Sequence, residues 1–120
     1  MTELQAGLGI SQMSRLDQYV ARRHELADRY DALLADLPVI RPWQHPDSYS
    51  GLHLYIIRLR LDLIRKTHRQ VFDSLRERKT GVHLHYIPLY NQPYYQQMGF
   101  KAEDYRESER YYSEAISIPI

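Results

Sequence analysis

The segment GVHLHYIPLYNQPYY, residues 81–95, holds the densest set of chemically useful side chains in this 120-residue chain. His83 and His85 alternate in it, and two neutral imidazoles at that spacing on a strand converge well enough to start a metal site. A third ligand is missing nearby. His53 is the only distant candidate, and in its own strand it more often just packs, so no metal is expected and these histidines are read as structural or substrate-contacting. The same stretch sets His85, Tyr86, Tyr90, Asn91 and Gln92 around Pro88 and Pro93. Rigid aromatics beside neutral hydrogen-bonding groups suit a sugar or a nucleotide. An edge strand running into a proline-stiffened turn explains the residues equally well. If residues 82–86 form a strand, His85 and Tyr86 point to opposite faces, and at most one enters a common cleft without a twist or bulge.

Other chemistries find less support. The chain has no Cys, which removes thiolate nucleophiles, disulfides and cysteine zinc sites. No serine sits in a nucleophile elbow, and no glycine-rich loop could cradle a phosphate. The acid pairs Glu103/Asp104 and Glu107/Glu109 fall on a segment that reads as an exposed helix, so spacing alone gives no complete active site. Between Arg58 and Lys79 eight basic residues face three acids, yet Arg65, Lys66, Arg69, Arg76 and Arg78 scatter around their helix instead of forming a stripe. A solvated face is the better reading. Tyr55 and Tyr86 could stack bases, but no RNP-like segment accompanies them, and a noncatalytic nucleotide- or RNA-binding module remains only an alternative. Net charge is +1, from 16 Lys and Arg against 15 Asp and Glu, so no whole-molecule field recruits nucleic acid or an anionic membrane. No apolar run of about 18 residues and no signal-peptide pattern occurs. A soluble, cytoplasmic protein is expected, with no nucleic acid or membrane partner.

The elements that must position these groups follow from periodicity. Thr2 and Gln5 form a capping box before a short helix that Gly7 and Gly9 weaken. Apolar residues from Leu16 to Leu37 recur near every 3.5 positions, predicting a long helix over about residues 12–36 that Pro38 ends, followed by an irregular loop to Gly51. Residues 52–61 alternate, placing His53, Tyr55, Ile57, Leu59 and Leu61 on one face of a strand. Thr67 and Gln70 cap a helix carrying Val71, Phe72 and Leu75, with Gly81 as its stop. A strand over 82–86, one helical turn over 94–98 closed by Gly99, a helix over 102–113 and a strand over 116–120 complete the order. Such an order predicts an α+β fold, with a long N-terminal helix and further helices packed on a short mixed sheet. Eleven Tyr stand against two Phe and one Trp, and those at 86, 90, 94, 95, 105, 111 and 112 gather near the C-terminus. Tyrosine at that density suits a wet cleft or an interface better than a dry core.

Several separate motifs, in order and over essentially the whole chain, carry a resemblance. MTELQAGLGISQMSRLDQYVARRHELADRYDALL, HPDSYSGLHLYIIRL, TGVHLHYIPLYNQPYYQQMGF and AEDYRESERYYSEAISIPI together resemble the C-terminal part of pyridoxal-phosphate (PLP) dependent sugar-nucleotide aminotransferases of the DegT/DnrJ type. The resemblance implies a small C-terminal domain of a fold-type I aminotransferase. Residues 1–37 would be connecting helices leaving a large domain, and residues 38–120 the small domain, truncated at its end. It implies amino transfer from L-glutamate to a 4-keto, UDP-linked sugar in polysaccharide or glycan synthesis, with PLP held on a lysine of the large domain. Lys66, Lys79 and Lys101 match none of that lysine's surroundings, so no cofactor, no catalytic residue and no activity are expected on this piece alone. His85 and Tyr86 match the pair that faces the sugar-nucleotide cleft, with Tyr90 and Gln92 as further substrate-binding candidates. Tyr90 stands where close relatives often carry His. A homodimer, or self-association through the N-terminal helix, is implied as well. PLP-dependent sugar dehydratases of the same family are the alternative within it.

Overall fold

The structure is a computed structural model, and it describes residues 2–120. Helix α1 (Glu3–Met13) starts at the capping box read from Thr2 and Gln5: the Gln5 amide donates to the Thr2 hydroxyl, and the Thr2 amide to the Gln5 side chain. Helix α2 (Leu16–Leu33) is separate from it, broken at Ser14 and Arg15, and it ends one turn before Pro38. The long helix expected over residues 12–36 is therefore shorter at both ends.

Three strands form one sheet in the order β1-β2-β3, made of β1 (Val39–Ile40), β2 (Tyr55–Leu59) and β3 (Ala115–Ile118). Both pairings are antiparallel, so the sheet expected as mixed has no parallel partner within it. Strand β1 falls inside the segment read as irregular loop. Two residues are too few to show alternation, and their pairing with Leu59 and Arg58 comes entirely from tertiary contact. Strand β2 follows its alternation closely: Tyr55, Ile57 and Leu59 are buried, and the residues between them are half-buried. His53 lies outside the strand and is exposed.

The strand expected at 82–86 is reduced to one bridge. His83 exchanges both backbone hydrogen bonds with Ser117, at 3.0 and 2.9 Å, and the chain then leaves the sheet edge toward Pro88. Helix α3 (His68–Glu77) has the second capping box, Thr67 with Gln70. Its stop is Lys79 and not Gly81. Lys79 takes the left-handed conformation (φ +61°), while its amide and that of Thr80 donate to the Arg76 and Leu75 carbonyls, the pattern that closes a helix with one left-handed residue. His68 reaches from the start of α3 to the sheet, donating from Nε2 to the Ala115 carbonyl at 3.0 Å.

The core comprises Ala27 of α2, Leu52, the inward residues of β2, Val82 and Ile116. Half-buried Val71, Phe72 and Leu75 of α3 pack against it. Tyr55, 1% exposed, also ties α2 to the sheet: its hydroxyl donates to Asp31 Oδ1 at 2.5 Å, and its ring meets Tyr30 with centroids 5.1 Å apart. None of the residues of α1 is buried. The radius of gyration is 18.0 Å, above the about 14 Å of a compact chain this long. Helix α1, with no buried residue, extends away from the packed body that α2 and the sheet form.

Burial first, and then the Asp31 hydrogen bond, push the Tyr55 hydroxyl far above its ordinary value of 10.0. A raised folded-state value means that the contribution is whole below pH 10 and is lost as pH climbs from there through the folded-state value. For this group the slope reaches at most about 1.4 kcal/mol per pH unit. Tyr55→Phe is expected to lower stability by about 1–2 kcal/mol at neutral pH, a hydrogen bond to a half-exposed carboxylate. Urea denaturation followed from pH 8 to 11 should also show a flatter alkaline decline in the variant. An unchanged slope would mean that the Tyr55 hydroxyl does not titrate with folding.

Candidate functional site

Beyond the bridge at His83 the chain runs as an extended loop and then tightens at Pro88 into a 3-10 turn, Leu89–Asn91. Pro93 at the first position of α4 (Pro93–Gln97) starts the next helix, as its fixed φ favours. Gly99, at φ +90°, stops that helix. The Phe100 amide then donates to the Tyr95 carbonyl at 3.2 Å, and the turn folds the Phe100 ring back onto Tyr95, edge to face at 6.0 Å. A second 3-10 turn, Ala102–Asp104, leads into α5 (Arg106–Glu114). The exit loop and α5 thus stand opposite one another, with Tyr95 and Phe100 at one end.

Between these walls lies a cleft of about 750 Å³. His85, Tyr86 and Tyr90 line it from the loop side, and Ser108, Tyr111 and Tyr112 line it from α5. The structure therefore brings together three of the four substrate-binding candidates. Gln92 is not among the lining residues; it is exposed at the N-terminus of α4. The expectation that at most one of His85 and Tyr86 could enter depended on strand alternation. Ladder pairing stops at His83, so that alternation does not extend to them. Both line the cleft, with ring centroids 4.2 Å apart and planes tilted by 33°.

The cleft walls are mostly aromatic and held by stacking. Tyr90 and Tyr105 lie parallel, centroids 4.7 Å apart at 5°, and Phe100 stands beside Tyr105. Arg58 passes over the Tyr111 ring at 5.6 Å from outside, and burial pushes the Tyr111 hydroxyl up despite that cation. No lysine or arginine lines the cleft; its one acid is Glu107. Lys66, Lys79 and Lys101 are exposed elsewhere, Lys66 reaching Ser74 Oγ at 3.3 Å. Among the described residues no three His, Asp or Glu side chains gather as metal ligands, and no helix is long and apolar enough to cross a membrane.

The sequence singles out the loop wall as the site and gives the α5 wall only as tyrosines 105, 111 and 112 of a cluster suited to a wet cleft or an interface, with the acid pairs on an exposed helix. The usable signal was spacing: Tyr105, Ser108 and Tyr112 fall at i, i+3 and i+7, one side of a helix, as do Glu107 and Tyr111. Which element that side faces is a long-range fact that spacing does not carry.

The comparisons with known proteins agree with one another. SpsC of Bacillus subtilis, a spore coat polysaccharide biosynthesis protein, is 35% identical over 123 residues, covering 100% of this chain and 32% of its own length. The UDP-4-amino-4,6-dideoxy-N-acetyl-beta-L-altrosamine transaminase of Helicobacter pylori is 31% identical over 121 residues, covering 99% of this chain and 32% of its own. Spr1654 of Streptococcus pneumoniae, solved in its PLP form, superposes with a TM-score of 0.89 at 25% identity, over 99% of this chain and 30% of that one. The chain thus spans about a third of the length of the relatives it matches. Sequence, fold and the order of motifs converge over residues 1–120 on one group, and the chain belongs to the DegT/DnrJ/EryC1/StrS aminotransferase family.

Proposed function

We propose that this chain is the connecting-helix part (residues 1–37) and small domain (residues 38–120) of a PLP-dependent aminotransferase. The enzyme moves an amino group from L-glutamate to a 4-keto, UDP-linked sugar in polysaccharide or glycan synthesis, and the tyrosine-rich cleft holds the sugar nucleotide. One observation carries the reading: His85, Tyr86 and Tyr90 meet in a cleft whose aromatic faces and hydroxyls suit an uncharged, oxygen-rich ring. Family membership and the transaminase among the relatives support the reaction class.

The residues present do not fit PLP as a resident group. An aminotransferase binds that cofactor through a lysine and neutralises its phosphate, and neither a lysine nor an arginine lines this cleft. In this reading the cofactor lysine belongs to the two-thirds of the relatives' length that this chain does not match, and His85 and Tyr86 bind and orient substrate without transferring protons. The reading includes a homodimer, or self-association through the N-terminal helix expected over residues 12–36, where Met13, Leu16, Tyr19 and Leu33 are exposed.

The test is a kinetic split in the full-length enzyme. Tyr86 is 69% exposed, so Tyr86→Phe leaves the packing of this chain intact. Tyr86→Phe and His85→Gln should each lower kcat/KM for the sugar nucleotide by roughly 2- to 12-fold, the worth of one neutral hydrogen bond, and leave the KM for glutamate unchanged. Unaltered sugar-nucleotide kinetics in both variants, with a fall in Tm, would show that the two side chains serve structure alone.

A further inference from the structure

The two walls of the cleft are joined at few points. Ladder pairing stops at His83, and the 3-10 turn Leu89–Asn91 closes only local backbone bonds, from the Asn91 amide to the Pro88 carbonyl and from the Gln92 amide to that of Leu89. No backbone hydrogen bond fixes how far the loop wall stands from α5. Among the described residues one hydrogen bond joins residues 84–100 to α5: Asn91 Nδ2 donates to Glu109 Oε1 at 3.3 Å. Neither partner lines the cleft, and both are half-buried.

A second point of attachment lies next to the first. Tyr90 precedes Asn91 on the turn and stacks on Tyr105, one helical turn before Glu109, so consecutive loop residues meet the same side of α5. The Tyr90 hydroxyl is buried beside Glu109 and Ser108, with a hydrogen bond closed to neither. Burial, and then the Glu109 carboxylate, push that hydroxyl above its ordinary value, so it stays protonated against the acid. Stacking alone lets two flat rings slide over one another. The Asn91–Glu109 bond is directional, and it sets where along α5 the loop wall sits.

Resting on the function proposed above, we infer that Glu109 is a positioning residue: through Asn91 it holds His85 and Tyr86 at a fixed spacing from Tyr111 and Tyr112, so the cleft is shaped before the sugar nucleotide enters. A ligand gripped from two walls loses affinity when binding must first bring them together. Glu109 touches no substrate, and its effect reaches the ligand only through the loop wall.

The experiment compares the full-length enzyme, wild type, with Glu109→Ala, Glu109→Gln, Asn91→Ala and the double variant Glu109→Ala/Asn91→Ala. Calorimetric titration gives the Kd for UDP-N-acetylglucosamine, and cofactor absorbance gives the KM for glutamate in its half-reaction. Glutamine keeps an oxygen acceptor for Asn91 but drops the charge, as alanine does. The pair therefore separates the hydrogen bond from the dipole contribution of an acid in the first turn of α5. Glu109→Ala and Asn91→Ala should each weaken the Kd roughly 2- to 12-fold, with Glu109→Gln within about twofold of wild type. The double variant should bind no more weakly than the weaker single, because both substitutions break one bond, and the KM for glutamate should stay unchanged throughout. Unchanged Kd values in both single variants, additive losses in the double, or Glu109→Gln as weak as Glu109→Ala would overturn the inference while leaving the proposed function standing. So would a KM for glutamate that moves in step with the Kd, since a general loss of folding touches both substrates. If the wild type binds no UDP-N-acetylglucosamine at all, the proposed function itself fails, and this inference with it.

Discussion

Truncating Ile116 to alanine lowers the stability of the chain by about 2–5 kcal/mol, whereas Ile116→Val costs only about 0.5–1.5 kcal/mol. Ile116 is 0% exposed, pairs with Ile57 across β3 and β2, and packs in the one core cluster that holds α2, the sheet and Val82 together. Alanine removes three carbons from a closed environment and leaves a cavity that paired strands cannot easily collapse. The effect should also reach the cleft. Ser117, the next residue, makes the two backbone bonds with His83 from which the exit loop departs. Urea denaturation should give the stability loss, and hydrogen exchange should show the amides of His83 and Ser117 losing protection in Ile116→Ala. A loss below about 1 kcal/mol would mean that the site collapses freely and that this cluster is not the core.

Removing the Glu114 carboxylate should cost about 2–3 kcal/mol. Glu114 ends α5 with its side chain 15% exposed, and its Oε2 accepts from Arg58 Nε and Nη2 at 3.0 and 2.7 Å, the Arg58 side chain being 28% exposed. Its other oxygen accepts from Arg110 at 3.2 Å. Glu114→Ala strands a half-desolvated guanidinium on β2. A fully buried pair broken from one side costs about 3–5 kcal/mol, and partial exposure here reduces that figure. Because Arg58 also lies over Tyr111, the change should loosen the α5 wall of the cleft. The double variant Arg58→Leu/Glu114→Leu should recover much of the loss, since no charge is then left unpaired. Equal destabilisation in the single and double variants would assign the loss to packing instead of charge.

Local signals in the sequence carried well into the structure where the physics is local. Both capping boxes form as written, because side chain and amide sit three residues apart whatever else the chain does. The alternation of β2 appears because one face is buried, and Gly99 closes its helical turn because glycine takes the left-handed conformation without strain. The errors fall where tertiary contact decides. Strand β1 exists only through β2, and residues 82–86 have the composition of a strand but find a partner at His83 alone. Lys79 takes the left-handed position expected of Gly81, held there by the two backbone bonds that close α3. At the site, the loop wall was legible as a run of contiguous residues. Of the α5 wall only the gathering of Tyr105, Tyr111 and Tyr112 was legible, since their spacing puts them on one side of a helix without saying what that side faces.

In the function proposed above, this chain supplies the substrate wall of a PLP enzyme and not its cofactor lysine. The most direct measurement is to incubate the 120-residue chain with PLP, reduce with borohydride and map the product by mass spectrometry. The expected result is no stoichiometric, site-specific phosphopyridoxyl group, because the three lysines are exposed and none lines the cleft. A single stoichiometric adduct at Lys66, Lys79 or Lys101 would place a cofactor lysine in this chain and overturn the proposed function's division of the site.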